Sequence, residues 1–289
     1  MELNVAARTG DSLGGGVIWN HEEQRLYWVD AFGPTLHRTD SGSGDVESWT
    51  MPEVIGSVVF DHHGMMVVGL ESGYHRLRLD PFALSPIQNP QPESGIIFND
   101  GKCDRAGRYF IGTMHRNFRD DAGVLWRLDP DLTCQRIDGE ITVSNGLAWS
   151  PDDRTMYFAD TRKDVVYAYE YDIETGSATN RRVFLSTEGR PGRVDGATTD
   201  AAGNYWAAMI HEGAVACFSP LGVELRRIEL PVSHPTMCTF GGPDLDRLFV
   251  ATSRRFLDEA GLRDQPLAGS MFVIDGLDAE GLPETFFAG

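Results

Sequence analysis

The sequence predicts an all-β chain folded as a six-bladed β-propeller with four-stranded antiparallel blades. Three observations carry this expectation. One unit of apolar strand, polar turn and aromatic or β-branched strand is written six times. Equivalent markers Ile18, Val58, Lys102, Leu147, Ala197 and Cys238 lie 40, 44, 45, 50 and 41 residues apart, a near-constant period of the size of a propeller blade. No stretch needs a long amphipathic helix, which argues against the doubly wound and barrel α/β classes.

The first unit runs from Gly16-Val17-Ile18-Trp19 through the turn Asn20-His21-Glu22-Glu23 into Leu26-Tyr27-Trp28-Val29-Asp30 and Thr35-Leu36-His37-Arg38. The second opens at Ser57-Val58-Val59-Phe60, turns at Asp61-His62-His63-Gly64 and continues through Met65 to Gly69. The third opens at Asn99, turns at Asp104-Arg105-Ala106-Gly107 and includes Arg108 to Gly112 and Gly123 to Leu128. The fourth opens at Ser144 and turns at Pro151-Asp152-Asp153; the fifth opens at Asp195 and turns at Asp200-Ala201-Ala202-Gly203. The sixth opens at Thr236-Met237-Cys238 and turns at Gly242-Pro243-Asp244. These turns are rich in Asp, Asn, Gly and Pro, whose side chains or fixed dihedrals favour chain reversal. Residues 1–289 are thus expected to form one domain. The segments Leu3-Asn4-Val5-Ala6 and Glu284-Thr285-Phe286-Phe287 are spare and available to complete the last sheet. Two insertions, Arg116 to Ala122 and Phe256 to Leu267, are expected in loops, where function tends to reside.

With 43 acidic against 25 basic residues, the formal charge is −18. Nucleic acid and anionic membrane need a basic footprint, so neither is an expected partner. No charged leader with an apolar core opens the sequence, and no apolar run reaches the length of a bilayer span. A cytoplasmic protein, monomeric or a small homo-oligomer, is expected. Cys103, Cys134, Cys217 and Cys238 lack metal or redox spacing and read as reduced core residues.

The inner strand of each propeller blade lines the central channel, so the polar openings of successive blades should face one another at one mouth. That places Gly15, Asn99, Asn145 and Asp195 around a single cup. Taken singly, Asn99-Asp100-Gly101 and Asp195-Gly196 are also ordinary turn sequences; their recurrence at one blade position is what singles them out.

The residues resemble the SMP-30/gluconolactonase/luciferin-regenerating family. The resemblance rests on Phe98-Asn99-Asp100-Gly101-Lys102-x-Asp104, Gly107-Arg108-Tyr109-Phe110-x-Gly112-Thr113-Met114, Ser144-Asn145-Gly146-Leu147-x-Trp149-Ser150, Asp195-Gly196, and Phe240-Gly241-Gly242-Pro243 with Gln265-Pro266-Leu267-Ala268-Gly269. It implies a six-bladed propeller, a small-molecule lactone substrate and one divalent ion (Ca, Zn, Mn or Mg). The family's metal ligands carry over as Asn145 and Asp195, and the asparagine bordering metal and substrate as Asn99. Two departures stand out. Gly15 occupies the position of the family's metal-binding glutamate, and Ile97 stands where many members have an arginine.

Lactone hydrolysis needs an electrophile for the carbonyl and a base for water, which a divalent ion beside a carboxylate can supply. On that reading Asp195 is the catalytic base and a metal ligand, Asn145 and Asn99 contribute metal-binding oxygens, and Asn99, Asp100, His115 and Arg116 contact the substrate. Asp120 or Asp121 is available to fill the place left by Gly15. His211 and His234 end strands and are further candidates, while His62-His63 reads as a solvated turn. Arg116, Arg119, Arg190 and Arg193 are loop cations able to meet an anionic substituent. The expected activity is metal-assisted hydrolysis of a sugar lactone. The alternatives are a non-catalytic or regulatory binding propeller, and an enzyme acting on another ring with weak or no metal dependence.

Overall fold

The computed structural model describes residues 1–40 and 44–289 and contains six four-stranded antiparallel sheets. Blade 1 is built from Gly14–Asn20, Arg25–Asp30, Thr35–Asp40 and Val46–Thr50. Blades 2 to 5 repeat that order, with inner strands Ile55–Phe60, Ile96–Cys103, Ser144–Trp149 and Arg193–Thr199. In blade 6, Pro235–Gly241, Arg247–Thr252 and Met271–Asp275 are completed by the N-terminal strand Glu2–Ala7.

The period in the sequence corresponds to a repeated local chemistry. At the turn after the inner strand, Asp61 accepts from the backbone N–H groups of His63 and Met65, Asp104 from Ala106 and Arg108, and Asn20 from Glu22 and Glu23. Each closes its hairpin through a side chain that mimics a backbone turn. Between blades, aromatic side chains meet at all six junctions: Tyr27 with Phe60, Tyr74 with Phe98, Phe110 with Trp149, Tyr157 with Tyr205, Trp206 with Phe240, and Phe249 with Trp19. The Trp19–Phe249 pair, 5.9 Å apart and stacked, packs the first blade against the last. Such pairs contribute about 0.5–1.5 kcal/mol each beyond the area they bury.

Ring closure differs in one respect from the sequence expectation. The N-terminal strand fills the outer place of blade 6, pairing Leu3 with Ile274 and Val5 with Phe272. Residues Glu284 to Phe287 join no sheet there. They cross the end of the channel where the inner strands finish, with Phe287 N–H donating to Phe60 O at 2.6 Å and Ala288 N–H to Gly107 O at 2.9 Å. Phe286 and Phe287 are buried there, and Glu284 pairs with Lys102 at 3.1 Å. The segment therefore stoppers that end through apolar burial and one largely buried ion pair.

Every inner strand carries a register shift near its start: Gly15/Ile18, Ile55/Ser57, Phe98/Gly101, Asn145/Ala148, Val194/Ala197 and Pro235/Met237. A bulge re-aims side chains that regular pleating would alternate. The six bulges turn one short segment of each blade toward the axis, glycine in blades 1 and 2 and polar in blades 3 to 6. The insertion after Thr252 contains the one α-helix among the described residues, α1 (Glu259–Asp264), capped by Asp258, whose side chain accepts from Gly261 N–H. The sequence expectation of an irregular loop missed this cap. Three of the four cysteines are buried, and all four are free thiols. No helix among the described residues is long and apolar enough to cross a membrane.

Candidate active site

The six bulges open onto one cavity holding about 990 Å³ of empty space, its open mouth included. Gly15, Gly56, Asn99, Asp100, Asn145, Asp195, Gly196 and Thr236 reach it from the inner strands. The convergence expected of Asn99, Asp100, Asn145 and Asp195 is therefore what the structure shows.

Their order is fixed by neighbours. Asp160, at the end of the second strand of blade 4, accepts from Thr142 N–H at 2.9 Å and Val143 N–H at 3.1 Å. That anchors the chain just before Ser144. Asp30 performs the same service in blade 1, accepting from Ser12 and Leu13. Gly146 follows with φ +61, and a Cβ there would lie 2.4 Å from the Tyr205 hydroxyl. Only glycine suits that position, and Tyr205 Oη donates to Gly146 O at 2.7 Å.

The amide of Asn145 is oriented by its partners. Its Nδ2 donates to Thr161 Oγ1 at 2.8 Å, and that hydroxyl donates to Val194 O at 2.7 Å. Asn145 Oδ1 accepts from Asn99 Nδ2 at 2.9 Å, and the same Nδ2 lies 2.8 Å from Ser144 O. Asn99 Oδ1 and the second lone pair of Asn145 Oδ1 are left for a ligand. Thr161, missed in the sequence, thus sets which way Asn145 faces. The signal was its place directly after the second strand of blade 4, on the rim that the inner-strand openings share.

Asp100 is buried, with Oδ2 accepting from Leu147 N–H at 3.1 Å and Oδ1 without a partner. Burial raises its pKa, and hydrogen bonds and the Lys102 charge oppose the rise. Asp195 keeps partial contact with the cavity. Its surroundings are nonetheless mostly protein, so burial first and then the Asp100 charge hold its pKa well above the usual carboxylate range.

Other expectations fare differently. His115 and Arg116 are not among the residues lining the cavity. His115 contacts Asp120 at 3.5 Å, and Arg116 is paired with Glu71. Asp120 is held by Asn117, and Asp121 by Thr142 and Lys163. Neither carboxylate lines the cavity beside Gly15. Arg190 is tied to Glu212 and Glu224, away from the wall. Ile97 is buried with Met114 and Val143 as apolar filling. His62 and His63 are exposed, as expected of an outer turn.

Arg193 and His211 do line the cavity, joined by Arg162, Phe118 and Phe256. Arg193 Nε donates to Asp164 Oδ1 at 2.6 Å. Arg162 and His211 follow second strands, the same signal that marks Thr161. His234 sits behind His211, with Nε2 3.1 Å from His211 Nδ1.

The donors suit a hard cation. Asp195 brings charge, while Asn145 Oδ1 and Asn99 Oδ1 bring neutral oxygens, a set that matches calcium, magnesium or manganese better than a soft metal. A Cβ on Gly15 would meet nothing within 4 Å, so the wall has room for a further ligand there.

Residues 13–254 match the family model described as the SMP-30/Gluconolactonase/LRE-like region. The chain is 36% identical over 288 residues to a 6-deoxy-6-sulfogluconolactonase of Pseudomonas putida, covering 99% of both chains. It is 35% identical over 288 residues to a pentonolactonase of Haloferax volcanii, covering 98% of this chain and 97% of the other. The crystal structure of a calcium-binding protein, regucalcin, from Agrobacterium tumefaciens superposes with a TM-score of 0.95 at 26% identity, over 99% of this chain and 97% of that one.

Proposed function

The chain belongs to the SMP-30/gluconolactonase/LRE-like family, and from that premise we propose that it is a lactonase opening a sugar lactone to the hydroxy acid. The observation that carries this reading is the convergence of Asn99, Asn145 and Asp195 on one cavity whose lining also holds apolar side chains and the cations Arg162 and Arg193. Relatives named for sulfogluconolactone and pentonolactone hydrolysis support the substrate class.

In this reading Asp195 takes a proton from water as the water oxygen adds to the lactone carbonyl carbon. The ring C–O bond then breaks, and the proton passes to the departing ring oxygen, which becomes the new hydroxyl. Asn99 and Asn145, held by Ser144 and Thr161, keep their amide oxygens aimed at the cavity. Asp195, Asn145 and Asn99 are the residues that would hold a divalent cation, which when bound polarises the carbonyl. Asp100, buried behind them, holds the bulge through Leu147 and contributes negative potential.

The test is a pH-indicator screen of aldonolactones on chelated protein, with and without added calcium, magnesium, manganese or zinc. Turnover by the native chain and a loss of roughly 100-fold or more in kcat for Asp195→Asn are expected, the scale of general-base catalysis. Full activity in that variant would remove Asp195 from the chemistry. The open space at Gly15 favours a second reading, a propeller that binds a sugar-derived ligand without turning it over. Saturable binding with no turnover on any lactone would select it.

A further inference from the structure

The rim of blade 5, the blade that carries Asp195, holds a hydrogen-bonded chain that leads from the cavity to the insertion carrying α1. His211, exposed at the cavity, places Nδ1 3.1 Å from Nε2 of the buried His234. His234 Nδ1 lies 3.2 Å from Ser233 Oγ, and Ser233 Oγ lies 3.0 Å from Gln265 Oε1. The Ser233 backbone N–H also donates to Gln265 Oε1 at 2.7 Å. Phe256 packs against both rings, 5.9 Å from His211 and 5.5 Å from His234. The His211 backbone is held too, its N–H donating to Ser233 O at 2.9 Å.

Donor and acceptor roles along this chain can be assigned from its far end. A backbone N–H only donates, so the Gln265 atom facing Ser233 is the carbonyl oxygen. That oxygen accepts only, so the proton between it and Ser233 Oγ belongs to Ser233. The hydroxyl has one proton, now committed, so toward His234 it accepts and His234 Nδ1 carries the hydrogen. On a neutral ring that leaves a lone pair on Nε2 of His234, which must accept from Nδ1–H of His211. The remaining nitrogen of His211, Nε2, is then a bare acceptor on a side chain that lines the cavity. Both rings are kept neutral in the same sense, by burial and by the positive charge of Arg193 and Arg162 near His211.

We propose that His211 is a specificity-determining residue that accepts a hydrogen bond through Nε2 from a hydroxyl of a polyhydroxylated ligand, with His234, Ser233 and Gln265 as positioning residues that fix its tautomer. The inference rests on the lactonase reading for the identity of that ligand as a sugar lactone. A lone pair beside two guanidinium groups selects a neutral donor, because an anion would meet the lone pair and a cation the arginines. A sugar hydroxyl satisfies this: its proton goes to His211 and its oxygen remains free to accept from an arginine. Phe256 excludes water from one face of the ring pair and makes the bond count for more.

The experiment combines tautomer detection with a substrate series. In ¹⁵N-histidine-labelled protein at neutral pH, long-range ¹⁵N–¹H correlation should show both rings with hydrogen on Nδ1 and bare Nε2, assigned by their loss in His211→Ala and His234→Ala. Gln265→Glu, which keeps an acceptor oxygen, should preserve the pattern, and Gln265→Leu should lose it for His211 as well as His234. Protonated Nε2 on either ring in the native chain would overturn the proposal. In kinetics with singly deoxygenated lactones, one analogue should lose about tenfold in kcat/KM against the native chain. The same analogue should show no added loss against His211→Ala. An unchanged penalty for every analogue in His211→Ala would overturn the hydroxyl contact. If no lactone is turned over, the lactonase reading fails by itself, and aldonates then replace lactones as the probe. An upfield shift of His211 Nε2 on aldonate binding supports the contact, and saturable binding or no binding with that resonance unmoved refutes it.

Discussion

Gly15→Glu is the perturbation that most directly tests how the cavity wall meets a cation. Gly15 lines the cavity, pairs across the sheet with Val29, and has nothing within 4 Å of where a Cβ would stand. The backbone can therefore accept a side chain without repacking. Were the new side chain to bring its carboxylate to about 5 Å from that of Asp195, Coulomb repulsion at an effective dielectric of about 20 would disfavour it by about 3 kcal/mol. Without a cation the variant should melt roughly 5 °C or more below the native chain. A divalent cation between the two carboxylates reverses the sign, since each then faces twice the charge at shorter range. Calorimetric titration after chelation should show binding tightened by about tenfold or more for calcium or manganese, and the lost thermal stability should return with the ion. Gly15→Gln, a neutral ligand in the same space, should show little of either effect. Gly16→Glu supplies the geometric control: its φ is +51 and its Cβ would sit 3.1 Å from Ser57 Cα, so it should lose stability with or without a cation. Unchanged affinity in Gly15→Glu, with a melting curve indifferent to divalent ions, would refute the assignment of Asp195 and Asn145 to a cation site.

Thr161→Val removes the hydroxyl that orients Asn145 and satisfies Val194 O; a stability loss of about 1–3 kcal/mol, with a fall in kcat/KM larger than that of a distant core variant of equal stability, is expected in melting and kinetic assays. Glu284→Gln leaves the Lys102 ammonium without its carboxylate at the stoppered end of the channel, and denaturant titration should show a loss of about 3 kcal/mol. His234, held down to about 4 by burial and by His211, must take up a proton to match its unfolded value near 6.5. Its contribution is fully present above pH 6.5 and is lost as pH falls toward 4. His234→Asn should flatten that part of the stability profile by roughly 2 kcal/mol relative to the native chain.

The fold was legible because each blade is a local unit. A hairpin closed by Asp61 or Asp104 is written within a few residues, and repeating it six times leaves an unmistakable period. The inner-strand openings were legible for the same reason, since Asn99, Asn145 and Asp195 occupy one place in the repeat. What escaped depends on contacts between units. The rim residues Thr161 and Arg162 follow a second strand, whose end lies beside the inner-strand openings only because neighbouring strands run antiparallel. His115 and Arg116 occupy the matching place in blade 3, yet His115 contacts Asp120 and Arg116 pairs with Glu71, contacts that no repeat encodes. The final segment was misassigned because its aromatic residues fit either an outer strand or a stopper. The N-terminal strand had already filled the first role.

On the proposed reading, catalysis would fall to the inner-strand bulges and recognition to the rim that the insertion reaches, and that separation has a physical basis. Asn99, Asn145 and Asp195 stand on bulges of inner strands, each strand paired to a second strand and packed between neighbouring blades by aromatic contacts. Displacing any one of them would disturb a blade junction. Phe256 and Gln265 come from an insertion whose link to the rim of blade 5 runs through the side chains of Ser233, His234 and His211. Changes in that insertion can alter which hydroxyl is read while leaving Tyr205 on Gly146, Thr161 on Asn145 and Asp160 on the approach to Ser144 as they are. If Asn99, Asn145 and Asp195 are the hydrolytic centre proposed above, such a scaffold would hold that centre constant while the rim varies, and in this chain the length and sequence of 256–267 are where substrate choice should be sought.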